Sequence, residues 1–182
     1  MTARLQRWID AATTTSPQRW AFGISAVVAA VGALLVTLIG TDDGVGWFAG
    51  LTVALAATAA IQAGSHTAVV VVALVVVQWM SATDDVTTPR SLVAAVCLLV
   101  FHSLLALMAV TPHSATVDAA VVRRWAQRAG AVALATAAVW ALALVLQRRD
   151  APANPHLTLL ALVAAGVGVV ALLRGSVDDA DR

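Results

Sequence analysis

The chain alternates between long apolar stretches and short polar ones. Four of the apolar stretches are clear, and they span residues 20–40, 91–111, 129–146 and 157–173. A helix needs about 20 largely apolar residues to cross the hydrocarbon core of a bilayer, which is about 30 Å thick. These four stretches meet or approach that length. Each of them therefore predicts a transmembrane helix.

A fifth apolar stretch covers residues 47–80, which is 34 residues without a charge. One helix of that length would rise about 51 Å, far beyond the thickness of the bilayer core. The only polar break that contains glycine is residues 63–67, Ala-Gly-Ser-His-Thr, and this predicts a turn between helices at 47–62 and 67–80. The valine-rich run 69–77 favours a strand in water, but an open sheet edge cannot face lipid, so we predict helix there as well.

The arginines decide how these helices are threaded through the membrane. Cytoplasmic loops of membrane proteins collect arginine and lysine. With two helices in residues 47–80, eight of the eleven arginines lie on one side, whereas a single helix there divides them six to five. We therefore predict an all-α polytopic membrane helix bundle of six transmembrane helices, arranged as three hairpins, with both termini cytoplasmic. The hairpins share hydropathy, but no motif is repeated among them.

Two polar segments flank the six-helix region, residues 20–173. In residues 1–19, apolar side chains recur at helical spacing while Arg4 and Arg7 occupy other positions, a pattern typical of an amphipathic helix that lies in the membrane interface. Residues 174–182 are short and polar, and we expect them to form a disordered cytoplasmic tail.

Composition agrees with a membrane protein and narrows its setting. Hydrophobic residues make up 60% of the chain and charged residues 12%, about half the charged share of an average soluble domain. All of that charge comes from arginine and aspartate, which is typical of a GC-rich bacterial genome. We therefore expect the cytoplasmic (inner) membrane of a bacterium. A net charge of +1 gives no reason to expect a nucleic-acid partner.

The predicted helices contain little that is chemically reactive. They hold no aspartate or arginine, and ionisable residues inside the membrane usually mark proton relays, voltage sensors and ion-coupled carriers. The one histidine at mid-depth is His102. A haem or metal ligand is one interpretation of it, and a neutral histidine hydrogen-bonded between helices is the other. We favour the second, because no other histidine lies at a matching depth.

Polar residues inside the predicted helices form a candidate intramembrane cluster, whose members are His102, Ser103, Thr52, Thr58 and Thr136. The chain contains no nucleophile and base at the spacing of a catalytic motif, and it contains no phosphate-binding loop. Its single cysteine, Cys97, excludes an intramolecular disulfide. The aspartate pairs at 42–43 and 84–85 suit a hard cation, although aspartate more commonly ends turns and caps helices. We therefore predict no catalytic, cofactor or metal site, and expect that the protein is not an enzyme.

Basic residues on the cytoplasmic side supply the remaining candidates for contact. They are Arg4, Arg7, Arg123, Arg124 and Arg128. Anionic lipid headgroups would bind such residues, as would a cytoplasmic partner; we favour the lipid, since long basic side chains commonly reach the interface.

Two functions from different classes fit this pattern. The first is an accessory, scaffold or assembly subunit of a membrane complex, bound to another membrane protein or to a second copy of itself. The alternative is a small transporter or permease subunit for an uncharged or amphiphilic solute, lined by the candidate cluster. No proline interrupts a predicted helix, which disfavours the transporter, since interrupted helices often form transport sites.

Overall fold

The computed structural model describes residues 15–39, 46–82, 88–112, 114–147 and 168. These residues form five long helices and contain no strand. In chain order the helices are α1 (Pro17–Leu38), α2 (Gly46–Ile61), α3 (Thr67–Ala82), α4 (Pro89–Val110) and α5 (Ala119–Gln147). The all-α prediction is confirmed for this part of the chain. Residues 1–14, nearly all of 157–173 and the predicted tail lie outside the described residues.

Three of the helices are long and apolar enough to cross a membrane, and they are α1, α4 and most of α5 (Ala119–Val145). The helices α2 and α3 are apolar but shorter, with 16 residues each. Large apolar side chains cover the outside of the bundle, and Val110 and Leu134 are more than 70% exposed. Such a surface is typical of a protein whose surroundings are lipid. These features indicate a membrane protein.

The chain breaks within the 34-residue apolar stretch. Helix α2 ends at Ile61, α3 begins at Thr67, and the Ser65 amide donates to the Gln62 carbonyl at 3.0 Å in the turn between them. Gly64 has φ of +102°, in the left-handed region that glycine enters without steric cost. The stretch is therefore two helices joined by a turn, and not one long helix.

Helix boundaries differ from the predicted ones most at the start of α5. This helix begins at Ala119, ten residues before the predicted 129, so the three arginines of this segment lie on a helix. Hydropathy predicts where the apolar segment begins, but a helix can extend beyond that segment. Arginine and alanine are good helix formers in water as well as in lipid. Both α1 and α4 also begin two or three residues early, each with a proline in the first turn, where its missing N–H costs nothing.

Helix α1 lies at the centre of the packing. It has its most extensive contact with α4 and also packs against α2 and α3, while α5 packs against α4. Small residues allow these close approaches: a methyl group on Gly32 would lie 3.5 Å from the Cys97 sulfur. Four helices contribute to the core, which contains Ala26, Ala30, Ala56, Ala59, Val71, Phe101, Leu105 and Met108.

Candidate functional site

The densest set of polar contacts joins the first turn of α1 to the end of α4. Arg19 is 7% exposed. Its Nη1 atom donates to the Met108 carbonyl at 2.9 Å and to the Thr111 carbonyl at 3.1 Å. Carbonyls at the end of a helix have no donor within that helix, and a positive charge there is favoured by the helix dipole. Arg19 therefore caps the carboxyl end of α4.

Two neighbours of Arg19 bind the connection between α4 and α5. The Gln18 side chain accepts from the Val117 amide at 2.7 Å and donates to the Val117 carbonyl at 3.1 Å. Ser16 Oγ donates to the Ala115 carbonyl at 3.3 Å and also accepts from the Arg19 amide as the N-cap of α1. Three side chains from one turn of chain thus hold the connection against α1.

A second arginine makes the equivalent contact at the opposite end of the α1–α4 pair. Arg90 lies in the first turn of α4, and its Nη1 atom donates to the Ile39 carbonyl at 2.6 Å. Ile39 is the C-cap residue of α1, as Thr111 is the C-cap residue of α4. Each helix therefore supplies an arginine from its first turn to the C-cap carbonyl of the other.

The predicted polar cluster is divided among three helices. The hydroxyls of Thr52, Thr58 and Thr136 each donate to a carbonyl four residues earlier in their own helix, at 2.8 to 2.9 Å. Thr52 is buried and Thr58 is exposed, so they lie on different faces of α2. Helix α2 packs against α1 and α3, whereas α5, which carries Thr136, packs against α4.

The two cluster residues on α4 do not join these threonines. His102 is exposed and Ser103 is half-buried, and neither makes a hydrogen bond with a described residue. The hydrogen bond between helices that we expected for His102 is therefore absent from the described part of the chain. The five residues do not form one hydrogen-bonded cluster there.

The basic residues of the predicted contact surface lie beside the connection that Gln18 binds. Arg123, Arg124 and Arg128 are all exposed in the first three turns of α5. Asp118 precedes them, and its carboxylate accepts from the Ala120 amide at 2.7 Å at the start of this helix. We call the end of the bundle that holds these arginines and Arg19 the basic end. Arg4 and Arg7 lie outside the described residues.

Gln78 is a buried polar residue near the end of α3, outside the candidate cluster. It is 8% exposed, and both its amide nitrogen and its amide oxygen are buried without a hydrogen-bond partner among the described residues. It shares the buried stripe of α3 with Val71 and Val75. That i, i+4, i+7 spacing is the signal that would have placed Gln78 on the inward face.

A metal site is not formed by the described residues. Among them, no three histidine, cysteine or acidic side chains come together in a way that would hold a metal ion. Comparison with protein-family models, with curated protein sequences and with solved structures finds no match to this chain.

Proposed function

We propose that the protein is a non-catalytic, six-span subunit of the bacterial cytoplasmic membrane that acts as an accessory, scaffold or assembly component of a membrane complex. One observation carries the proposal: the polar side chains that form hydrogen bonds between helices bind backbone groups of the bundle itself. Arg19, Gln18 and Arg90 each join one helix to the end or connection of another. Such bonds stiffen a bundle and hold its outer surface in one shape.

The six-span topology is supported by the position of the α2–α3 turn. A methyl group on Gly64 would lie 3.7 Å from Ala109, and one on Gly23 would lie 3.8 Å from Ala60. The turn therefore lies at the same end as the start of α1 and the end of α4, which is the basic end. We assign that end, and with it both termini, to the cytoplasm, because arginine collects on that side.

The α2–α3 hairpin is short for a membrane-spanning unit. A helix of 16 residues rises about 24 Å, compared with about 30 Å for the bilayer core. Local thinning of the bilayer accommodates a difference of this size at modest cost. We therefore assign α2 and α3 as two spans.

Crosslinking in native membranes tests the scaffold role. We expect the tagged chain to be recovered with a discrete membrane-protein partner, or as a homo-oligomer, after mild detergent extraction. A variant with Arg123, Arg124 and Arg128 changed to glutamine shows whether the basic surface takes part. The matched control changes Arg148 and Arg149, which lie on the other predicted side. Recovery of the monomer alone, with and without crosslinker, would contradict the scaffold role.

Transport of an uncharged solute is a second candidate, and Gln78 is the observation that favours it. A buried amide without partners costs free energy, and transport sites retain such groups to bind polar solutes. A deletion strain complemented with Gln78→Leu and His102→Phe variants separates the two functions. Full complementation by both variants contradicts transport. Loss of complementation by a variant that is present and folded in the membrane favours transport over the scaffold role.

A further inference from the structure

His102 has an uncommon position for a titratable side chain in a membrane helix. It lies near the middle of α4, which is long and apolar enough to span a membrane, and its side chain is exposed. The described residues give it no hydrogen-bond partner. Histidines inside membrane spans almost always face a bundle interior or a water-filled cavity, and they pair with another polar group. The position of His102 therefore indicates that something other than lipid covers this side of α4.

The residues around His102 suit the close approach of another helix. At about 100° per residue, Ala95, Ala106 and Ala109 lie within about 40° of His102 around the axis of α4. These alanines are half-buried or exposed, and alanine allows two helix backbones to come close. None of the four residues carries a formal charge that would repel a second copy of the same surface. We call these four residues the His102 flank.

A second copy of the chain meets the requirement that His102 sets for a partner. The partner must place a hydrogen-bonding group at the same depth in the bilayer, within an otherwise apolar surface. A two-fold axis along the membrane normal brings His102 of one copy beside His102 of the other at equal depth. In its neutral form, an imidazole carries one N–H donor and one acceptor nitrogen. Two such rings are therefore complementary to each other.

We propose that the protein forms a homodimer in the membrane through the His102 flank, with parallel α4 helices and a hydrogen bond between the two His102 side chains. The hydrogen bond between helices that the sequence predicts for His102 is then made between two chains. The inference rests on the proposed function, because it names a second copy as the partner of the scaffold. Capture of a different membrane protein in place of a dimer would overturn this inference and would still support the scaffold role.

Disulfide trapping in native membranes tests the interface. The starting variant, Cys97→Ala, contains no cysteine. Into it we introduce His102→Cys or Ala106→Cys singly, and the second of these retains the His102 side chain. The matched controls are Val93→Cys and Val100→Cys, which are exposed on the opposite side of α4. A disulfide requires Cα atoms within about 7 Å.

We expect an oxidant to link two chains at position 102 or 106 with several-fold higher yield than at either control position. Equal yields at the flank and control positions would overturn the proposal, as would the absence of an interchain disulfide at both flank positions. A water-soluble maleimide should label His102→Cys poorly in open membrane fragments. Efficient labelling would show that a water-filled cavity, and not a second copy, covers this side of α4.

The hydrogen bond itself is tested by the dimerisation constant in lipid vesicles, measured by energy transfer between labelled copies. His102→Phe keeps a ring without donor or acceptor, whereas His102→Gln keeps both. We expect His102→Phe to weaken dimerisation by about three- to tenfold and His102→Gln to dimerise like the wild type. Undiminished dimerisation of His102→Phe would overturn the proposal. Because oligomeric state is the readout, a role of His102 in transport would not produce the expected result.

Discussion

At the scale of the residue, the polar side chains that join one helix to another lie at helix ends, where backbone groups lack partners. Arg19 is the clearest case, because it is buried and its guanidinium donates to two carbonyls at the end of α4, where backbone donors run out. Arg90 makes one such contact from an exposed position. Both arginines bind a C-cap carbonyl, but they differ in burial and in the number of bonds, so their contributions to stability should differ.

We predict that Arg19→Leu lowers the free energy of unfolding in detergent by about 2 kcal/mol, because the Met108 and Thr111 carbonyls lose a buried, charged donor. Arg90→Leu should cost about 1 kcal/mol or less, since water reaches the Ile39 carbonyl when the arginine is absent. The matched control is Arg124→Leu, at an exposed position. Denaturant titration measures all three. Equal losses for Arg19→Leu and Arg124→Leu would refute the capping role.

Glycine at position 64 provides a second residue-scale prediction. Its φ of +102° is unfavourable for any residue with a Cβ atom, so Gly64→Ala should lower the free energy of unfolding by about 1 to 2 kcal/mol. Gly50 lies within α2 with open space around it. Gly50→Ala should therefore leave stability unchanged or raise it by up to about 1 kcal/mol. Thermal unfolding of both variants in the same detergent gives the comparison. An equal change in stability for Gly64→Ala and Gly50→Ala would show that a side chain at position 64 does not strain the turn.

Much of the helix pattern could be predicted from hydropathy, while the polar contacts could not. The first four helices begin and end within three residues of the predicted limits, because lipid requires an apolar sequence of defined length. The sequence pattern predicts Arg19 only as one of the arginines on the cytoplasmic side. Its carbonyl partners lie 89 and 92 residues away, and no local pattern specifies a contact at that separation.

The predicted cluster around His102 illustrates a different limit. Hydropathy gives the depth of a residue in the membrane, but not the face of the helix on which it lies. Thr52 and Thr58 both lie within α2 but differ in exposure. Their hydroxyls also bond to their own helices, an option that is open to any threonine in a helix. Depth alone therefore does not identify a shared site.

At the scale of the element, the α1–α4 pair organises the bundle. Its inner face on α1 is a stripe of small residues that includes Gly23, Ala26, Ala30 and Ala33. On α4 the facing side chains are larger, and Phe101 is fully buried. Small residues facing large ones allow close packing without voids. The pair should therefore be sensitive to added volume on α1.

We predict that Ala30→Leu lowers the free energy of unfolding by about 1 to 3 kcal/mol, because three further carbon atoms must fit into a filled interface. Ala21→Leu adds the same volume to the exposed face of α1 and should change stability by less than about 0.5 kcal/mol. Denaturation of both variants in the same detergent gives the comparison. A tolerant Ala30 would show that α1 and α4 are not closely packed.

At the scale of the whole molecule, the arginines among the described residues are concentrated at one end of the bundle. Arg123, Arg124 and Arg128 are exposed at the basic end, near the buried Arg19. At the other end of the described bundle, Arg90 is engaged with a backbone carbonyl. This asymmetry predicts a preference of the basic end for anionic headgroups.

We predict that a triple variant with Arg123, Arg124 and Arg128 changed to glutamine retains several-fold less phosphatidylglycerol through purification than the wild type does. Arg90→Gln is the control and should retain lipid as the wild type does, since that guanidinium already has a partner. Lipid bound to the purified protein is measured by native mass spectrometry. The difference should shrink at high salt, because salt screens exposed charges. Equal retention by the triple variant and the wild type would exclude a headgroup site.

The central claim is that the chain crosses the membrane six times with the basic end in the cytoplasm, and labelling of single cysteines in intact cells tests it most directly. In the Cys97→Ala background, the positions are Thr87→Cys and Asn154→Cys on the predicted outer side, and His66→Cys and Ser114→Cys on the inner side. A membrane-impermeant maleimide should label the first two in intact cells and the last two only after lysis. Labelling of His66→Cys from outside, or protection of Asn154→Cys, would contradict the account.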